Sequence, residues 1–213
     1  MIFHDRDDAA VKLIPLLSGY KNEEGVVLAV PRGGVPIGFR IAMEYNFPLE
    51  ILLTKKIGYP SNEELAIGAV SLENEVIDDR FDIPQAYIDE QIKKIRKSLQ
   101  ERYKKFMGDR QPIDLKNKTV IIIDDGIATG NTMIASIKLI RTRQPKQIVV
   151  AVPVAPLRTA NKIEELVDDF ICVHIPEYFS GVGQFYRDFS QVSDAEVIRL
   201  MKEAGERKLV KEG

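Results

Sequence analysis

The chain has 213 residues, 45% apolar content and a formal net charge of −2, which suits one α/β domain with a small appendage and a sizeable core. Such a balance excludes a general pull toward nucleic acid or anionic membrane, so any anion recognition has to be local. No apolar stretch approaches the roughly 20 residues that span a bilayer, the amino terminus lacks a signal-peptide pattern, and the single Cys172 excludes an intramolecular disulfide; a soluble, cytoplasmic protein is expected.

Taken in chain order, Asp5 or Asp8 can cap an amphipathic helix reaching about Leu17, and Gly25 opens a strand, Val26 to Val30. Pro31-Arg-Gly-Gly-Val-Pro-Ile-Gly38 follows directly, ahead of a helix over 35–45. Adjacent glycines let N–H groups converge on an anion and Arg32 offers a charged fork; a tight turn with a surface arginine is the plainer alternative. A second strand is expected over Leu49 to Thr54, and it leads into Lys55-Lys-Ile-Gly-Tyr-Pro-Ser-Asn62, whose tip has little to bury. Leu65 to Ile77 reads as a glycine-containing β excursion of undetermined pairing. From Pro84 to Met107 the apolar residues Ile88, Ile92, Ile95, Leu99, Tyr103 and Phe106 form a helical stripe, read as core or subunit packing, the latter admitting a homodimer. Lys93, Lys94, Arg96 and Lys97 are interleaved with acids, which favours a solvated face over nucleic-acid binding.

The most informative stretch is Val120-Ile-Ile-Ile-Asp-Asp-Gly-Ile-Ala-Thr-Gly-Asn-Thr132. Its apolar run is a strand covered on both faces, of the kind found in parallel sheets. Asp124 and Asp125 cannot be buried unpaired, so they are placed at the strand end, facing water or a ligand, where they can accept hydroxyl hydrogen bonds. Ala128, Thr129, Gly130, Asn131 and Thr132 then offer close backbone approach, hydroxyls and the free N–H groups of a helix start, which together suit a phosphomonoester. Diol acceptors beside a phosphate cradle describe a ribose 5-phosphate at the carboxyl edge of an open sheet. Helices to about Arg143, over 157–166 and from about Asp194, with strands over 148–152 and 170–173, complete an alternation that predicts a doubly wound, mainly parallel α/β sheet. Ile175 to Phe189 is aromatic and glycine-bearing, and could cover a site or simply pack.

These segments resemble the type I phosphoribosyltransferases, whose signature for 5-phosphoribosyl-1-pyrophosphate (PRPP) is an apolar strand, two acids and a Thr-Gly-x-Thr-like loop. The resemblance implies that Asp124 and Asp125 hold the ribose hydroxyls, and with PRPP a magnesium ion, and that Ala128 to Thr132 hold the 5-phosphate. It implies pyrophosphate contacts for Arg32, Gly33 and Gly34, whose turn is similar to that of bacterial xanthine-guanine enzymes, and for Lys55 and Lys56 at the base of a mobile lid over about 55–64. Asp124, Asp125 and Lys56 are the residues so placed nearest the chemistry. A solvated lysine pair is the alternative at 55 and 56. The 175–192 segment is similar to the hood of hypoxanthine-guanine enzymes; by position Phe179 or Tyr178 would meet the base and Arg187 the pyrophosphate, with Phe185 a rival. The expected organisation is one domain over 1–213, with the lid, an inserted helix over about 84–108 and the hood.

Two departures bear on the acceptor. Ala128 stands where six-oxopurine enzymes usually carry an acid, and Leu166 to Phe170 lacks their lysine. Gly126 replaces a usually bulky apolar residue. The implied activity is magnesium-dependent phosphoribosyl transfer from PRPP to a nucleobase-like nitrogen acceptor in nucleotide salvage. A PRPP-sensing regulator without turnover is the alternative. The Asp-Arg, Pro-Arg-Gly-Gly and Leu-Ala-Ile-Gly-Ala-Val segments are also similar to a bacterial group of small phosphoribosyltransferase-like proteins of unassigned substrate.

Overall fold

The computed structural model describes residues 1–211; Glu212 and Gly213, and the side chains of Glu64 and of residues 207–211, lie outside that description. A five-stranded parallel sheet forms from β1 (Gly25–Ala29), β2 (Leu49–Ile51), β6 (Thr119–Ile123), β7 (Gln147–Val154) and β8 (Asp169–His174), in the order β2-β1-β6-β7-β8. Alternate residues of the central strands enter two separate cores. Val27, Ala29, Ile121, Ile123, Val149 and Ala151 face one, and Val26, Leu28, Val120, Ile122, Ile148 and Val150 face the other. The first is covered by α1 (Arg6–Leu13), α2 (Gly34–Tyr45), α3 (Gln85–Met107) and α6 (Asp194–Lys211), the second by α4 (Asn131–Arg141) and α5 (Leu157–Glu164). Helices on both faces explain why the strands read as unbroken apolar runs.

The first helix follows its sequence signals only in part. Asp5 caps it by accepting the Asp8 N–H at 2.9 Å, but α1 stops at Leu13 and continues as a 3₁₀ turn from Ile14 to Tyr20. Pro15, at the start of that turn, has no N–H to donate back along an α-helix. The stripe on α3 is buried within the chain itself: Ile88, Ile95, Leu99, Tyr103 and Phe106 are all inside, which accounts for its periodicity by core packing.

Two expectations around the second strand are corrected. β2 ends at Ile51 rather than Thr54, and the stretch from Lys55 is a strand, not a loop. β3 (Lys55–Tyr59), β4 (Asn62–Val70) and β5 (Glu75–Ile77) form an antiparallel sheet that fixes the pairing of the β excursion. Ile57 and Ile67 supply the reason, since both are fully buried and anchor the hairpin while Pro60, Ser61 and Asn62 stay exposed at its tip. No described helix is long and apolar enough to cross a membrane.

Candidate functional site

Because the central strands are parallel, the segments leaving β1, β2 and β6 emerge at one edge of the sheet, the place where such sheets bind ligands. The glycine turn after β1 lies directly on the acidic pair. A Cβ built on Gly33 would stand 1.9 Å from Asp125 Oδ2, and one on Gly34 would stand 2.5 Å from the Ile123 carbonyl oxygen. Glycine at both positions is therefore what lets the two loops touch. The Pro31–Arg32 peptide is cis.

Asp124 and Asp125 stand at the strand end as expected, but they are partly buried and not simply facing water. Arg6, from the first turn of α1, donates from Nε and Nη2 to Asp125 Oδ2 at 3.0 and 2.8 Å. The two side chains are only 11% and 14% exposed, so the pair is well shielded. Asp125 N–H in turn donates to Asp124 Oδ1 at 2.8 Å. Burial, and then the negative charge of Asp125, push the Asp124 carboxyl well above the usual carboxylate range. Burial raises Asp125 as well, against the opposing pull of the Arg6 guanidinium.

The loop over 128–132 is held from outside and open at its tip. Thr159, in the first turn of α5, donates to the Ala128 carbonyl at 2.7 Å, and Ile127 N–H donates to Val154 O at 2.9 Å. Gly130, at φ +77°, precedes α4 in a left-handed conformation, and its missing Cβ makes room for the Thr159 methyl. Ala128, Thr129, Asn131 and Thr132 remain exposed. A short chain of hydroxyls links this loop to the exit of β2: Ser136 Oγ donates to the Thr132 carbonyl at 2.9 Å and lies 2.8 Å from Thr54 Oγ1. Lys55 and Lys56 follow immediately, exposed at the base of the β3–β4 hairpin and paired in register with Val70 and Ala69.

Other expected residues lie less close. Arg32 turns toward Asp194 at the start of α6, at 3.3 Å, and Lys105 of α3 binds the other oxygen of that carboxylate at 2.6 Å. The guanidinium that reaches the acidic pair is that of Arg6; Arg187 is exposed on the 175–192 segment, and its backbone N–H donates to Phe3 O at 2.9 Å. Phe179 stacks on Phe185 with ring centroids 5.6 Å apart, whereas Tyr178 is 86% exposed. Tyr186, from the same segment, donates its hydroxyl to the Asp125 carbonyl at 2.7 Å. Burial raises that hydroxyl's pKa, so it stays a donor. Val182 occupies the space a side chain at Gly126 would need, 2.6 Å from its built Cβ, which gives the glycine at that position a packing reason.

Sequence reasoning missed Arg6, Thr159 and Tyr186. Only the Asp5-Arg6 pair left a trace, as part of the family resemblance and without a role. Cys172 is partly buried on β8 and burial raises its thiol to about 11, in keeping with an inert structural thiol. His174 packs edge-on against Phe185 at 5.6 Å, and His4 pairs with Asp5 at 2.8 Å.

Fold and site together define an α/β protein that presents an acidic strand end, a glycine turn and a threonine-bearing loop on one sheet edge. The chain belongs to the phosphoribosyl transferase domain family, whose model matches residues 6–190. It is similar to a Mycobacterium tuberculosis protein (strain H37Rv) that carries phosphoribosyl transferase as a provisional name, with 35% identity over 209 residues and 95% of this chain covered. The match takes in 47% of that relative, so the chain spans about half the length of the curated relatives it matches. Among solved structures, TT1426 from Thermus thermophilus has a TM-score of 0.88 at 31% identity, covering 95% of this chain and 99% of that one. A Neisseria gonorrhoeae protein solved with bound ppGpp has a TM-score of 0.52 at 16% identity, covering 95% and 96%, a likeness of fold alone.

Proposed function

We propose that the chain transfers the 5-phosphoribosyl group of PRPP to a nitrogen acceptor of the nucleobase class, in cytoplasmic nucleotide salvage, and releases pyrophosphate. The observation that carries this is the seating of Gly33 and Gly34 against Asp125 and Ile123, which sets the glycine turn beside a carboxylate pair that runs on into the phosphate loop. In the assigned roles, Asp124 and Asp125 accept the ribose hydroxyls, residues 128–132 bind the 5-phosphate, and Arg32, Gly33, Gly34, Lys55 and Lys56 meet the pyrophosphate. Arg187 would join them by movement of the 175–192 segment. Phe179 or Tyr178 would contact the base.

The reaction breaks the bond between the anomeric carbon and pyrophosphate oxygen, the leaving group keeping the electron pair. A bond forms from the acceptor nitrogen, which then loses its proton. Charge grows on the departing oxygen, so fixed cations and N–H dipoles around it lower the barrier, and closure of the β3–β4 hairpin as a lid would exclude water that could hydrolyse PRPP. Among the described residues no group of three or more His, Cys, Asp or Glu could cage a metal. The hard carboxylate oxygens of Asp124 and Asp125 nevertheless suit magnesium held mainly by PRPP oxygens and water, and when bound it would offset pyrophosphate charge.

The test follows magnesium-dependent pyrophosphate release from PRPP across purines, pyrimidines and small amines. Release that depends on one acceptor class supports the proposal, and no release with any acceptor overturns turnover.

A further inference from the structure

We propose that Arg6 is a positioning residue of the ribose site, holding the Asp125 carboxylate in the orientation that receives a sugar hydroxyl and tying that orientation to the 175–192 segment. The inference rests on the phosphoribosyl-transfer reading above and adds a residue from the amino-terminal helix to it.

The geometry is that of a built contact. Arg6 gives two of its nitrogens to a single oxygen, Oδ2, so one side of the carboxylate is fixed. Its Nη1 donates to the Ser190 carbonyl at 2.8 Å, and its guanidinium carbon lies 4.3 Å from the centroid of Phe189. Three directions of the guanidinium are thus occupied: Asp125, Ser190 and the Phe189 ring. An arginine held at three points is pre-organised and loses little further freedom when the ligand binds.

Charge supports the same role. PRPP is a polyanion, and two adjacent carboxylates would repel it unless a cation stands with them. Arg6 supplies that charge at direct contact, in a partly buried setting where salt screens it weakly. The residue does not touch the reacting atoms in this scheme; it acts through Asp125. Loss of the guanidinium would let the Asp125 side chain swing and would uncouple the Phe189–Ser190 stretch from the strand end.

Calorimetric titration of PRPP with magnesium onto the full chain, and separately of pyrophosphate with magnesium, tests this in wild type, Arg6→Ala and Arg6→Lys. We expect Arg6→Ala to weaken PRPP binding by about tenfold or more, the scale of one charge-assisted hydrogen bond, with a clearly smaller effect on pyrophosphate, which has no ribose diol. Methylguanidinium added to Arg6→Ala should restore part of the PRPP affinity, and Arg6→Lys, which keeps the charge but not the planar fork, should fall between the two. Should Arg6→Ala fail to fold, the Lys variant carries the test, since a weakened PRPP affinity with normal melting supports the inference. Unaltered PRPP affinity in every folded variant, or equal losses for PRPP and pyrophosphate without chemical rescue, would reduce Arg6 to a fold contact and overturn it. Failure of the wild type to bind PRPP would instead overturn the functional reading beneath it.

Discussion

Replacing Gly34 by alanine should separate the glycine turn from the acidic pair, and its cost can be worked from the backbone. The added Cβ would lie 2.5 Å from the Ile123 carbonyl oxygen and 2.9 Å from Asp124 Cα, against 3.4 Å for an ordinary contact. The turn and the strand end must therefore part by about 0.9 Å, and because both neighbours are backbone, no side chain can rotate away. The Ile123 carbonyl also accepts the Val30 N–H at 2.9 Å, so the methyl pushes on a bond that closes the β1–β6 pairing. Overpacking of this kind costs about 1–3 kcal/mol, a weakened hydrogen bond adds about 1 kcal/mol, and alanine in place of glycine at a helix start returns up to about 1 kcal/mol. A net loss of about 1–3 kcal/mol corresponds to a melting point roughly 3–10 °C lower in a chain of this size. The same displacement, close to 1 Å at the proposed pyrophosphate turn, should weaken PRPP binding or turnover by about 100-fold. Gly19→Ala is the control, since nothing lies within 4 Å of its built Cβ. Differential scanning calorimetry and PRPP titration on both variants decide the matter. If Gly34→Ala melts like Gly19→Ala and binds PRPP like wild type, the contact between the two loops is not what the glycine is for.

Three further outcomes follow from the same geometry. Asp125→Asn should lose most pyrophosphate release from PRPP while holding or gaining stability, because burial already disfavours its ionised form against the pull of Arg6; a clearly lower melting point would show that the Arg6 ion pair outweighs that burial. Thr129→Val should raise the PRPP dissociation constant by about tenfold or more, and an unaltered constant would return the exposed loop to a structural role. Limited trypsin digestion should cut after Lys55 or Lys56 only when β3 parts from β4. PRPP with magnesium should slow that cut more than cuts near Lys202 on α6, while equal protection at both places would indicate global stabilisation in place of closure.

What the sequence made legible was local and periodic. The apolar run into Asp124, the turn at Gly33 and Gly34 and the helix stripe from Ile88 to Phe106 all carry their signal within a few residues, and each stands in the structure where the pattern put it. The hairpin from Lys55 was not legible, because Gly58, Pro60, Ser61 and Asn62 carry turn chemistry whether or not their flanks pair. Ile57 is the single buried residue of β3, and one apolar position does not make a period, whereas β4, with Ile67, Ala69 and Val70 buried, was legible as a strand but not in its partner. The contacts that complete the site were invisible for a different reason. Arg6 and Asp125 are 119 residues apart in sequence, and Tyr186 lies 61 beyond Asp125; no local pattern records which cation will stand beside a given acid.

The departure at Gly126 shows how those distant contacts depend on one another. A bulky side chain there would collide with Val182 and Val154, so the glycine and Val182 form a compensating pair across the loop and the 175–192 segment. The close approach brings Tyr186 to the Asp125 carbonyl and sets Phe189 and Ser190 around Arg6. Phe3 then pairs with Tyr186 and accepts the Arg187 N–H, which fixes the entry to α1 and thereby the place from which Arg6 reaches Asp125. The two ends of the matched domain thus meet at the strand end of β6, and a change at Gly126 should be felt first in the orientation of a carboxylate it does not touch.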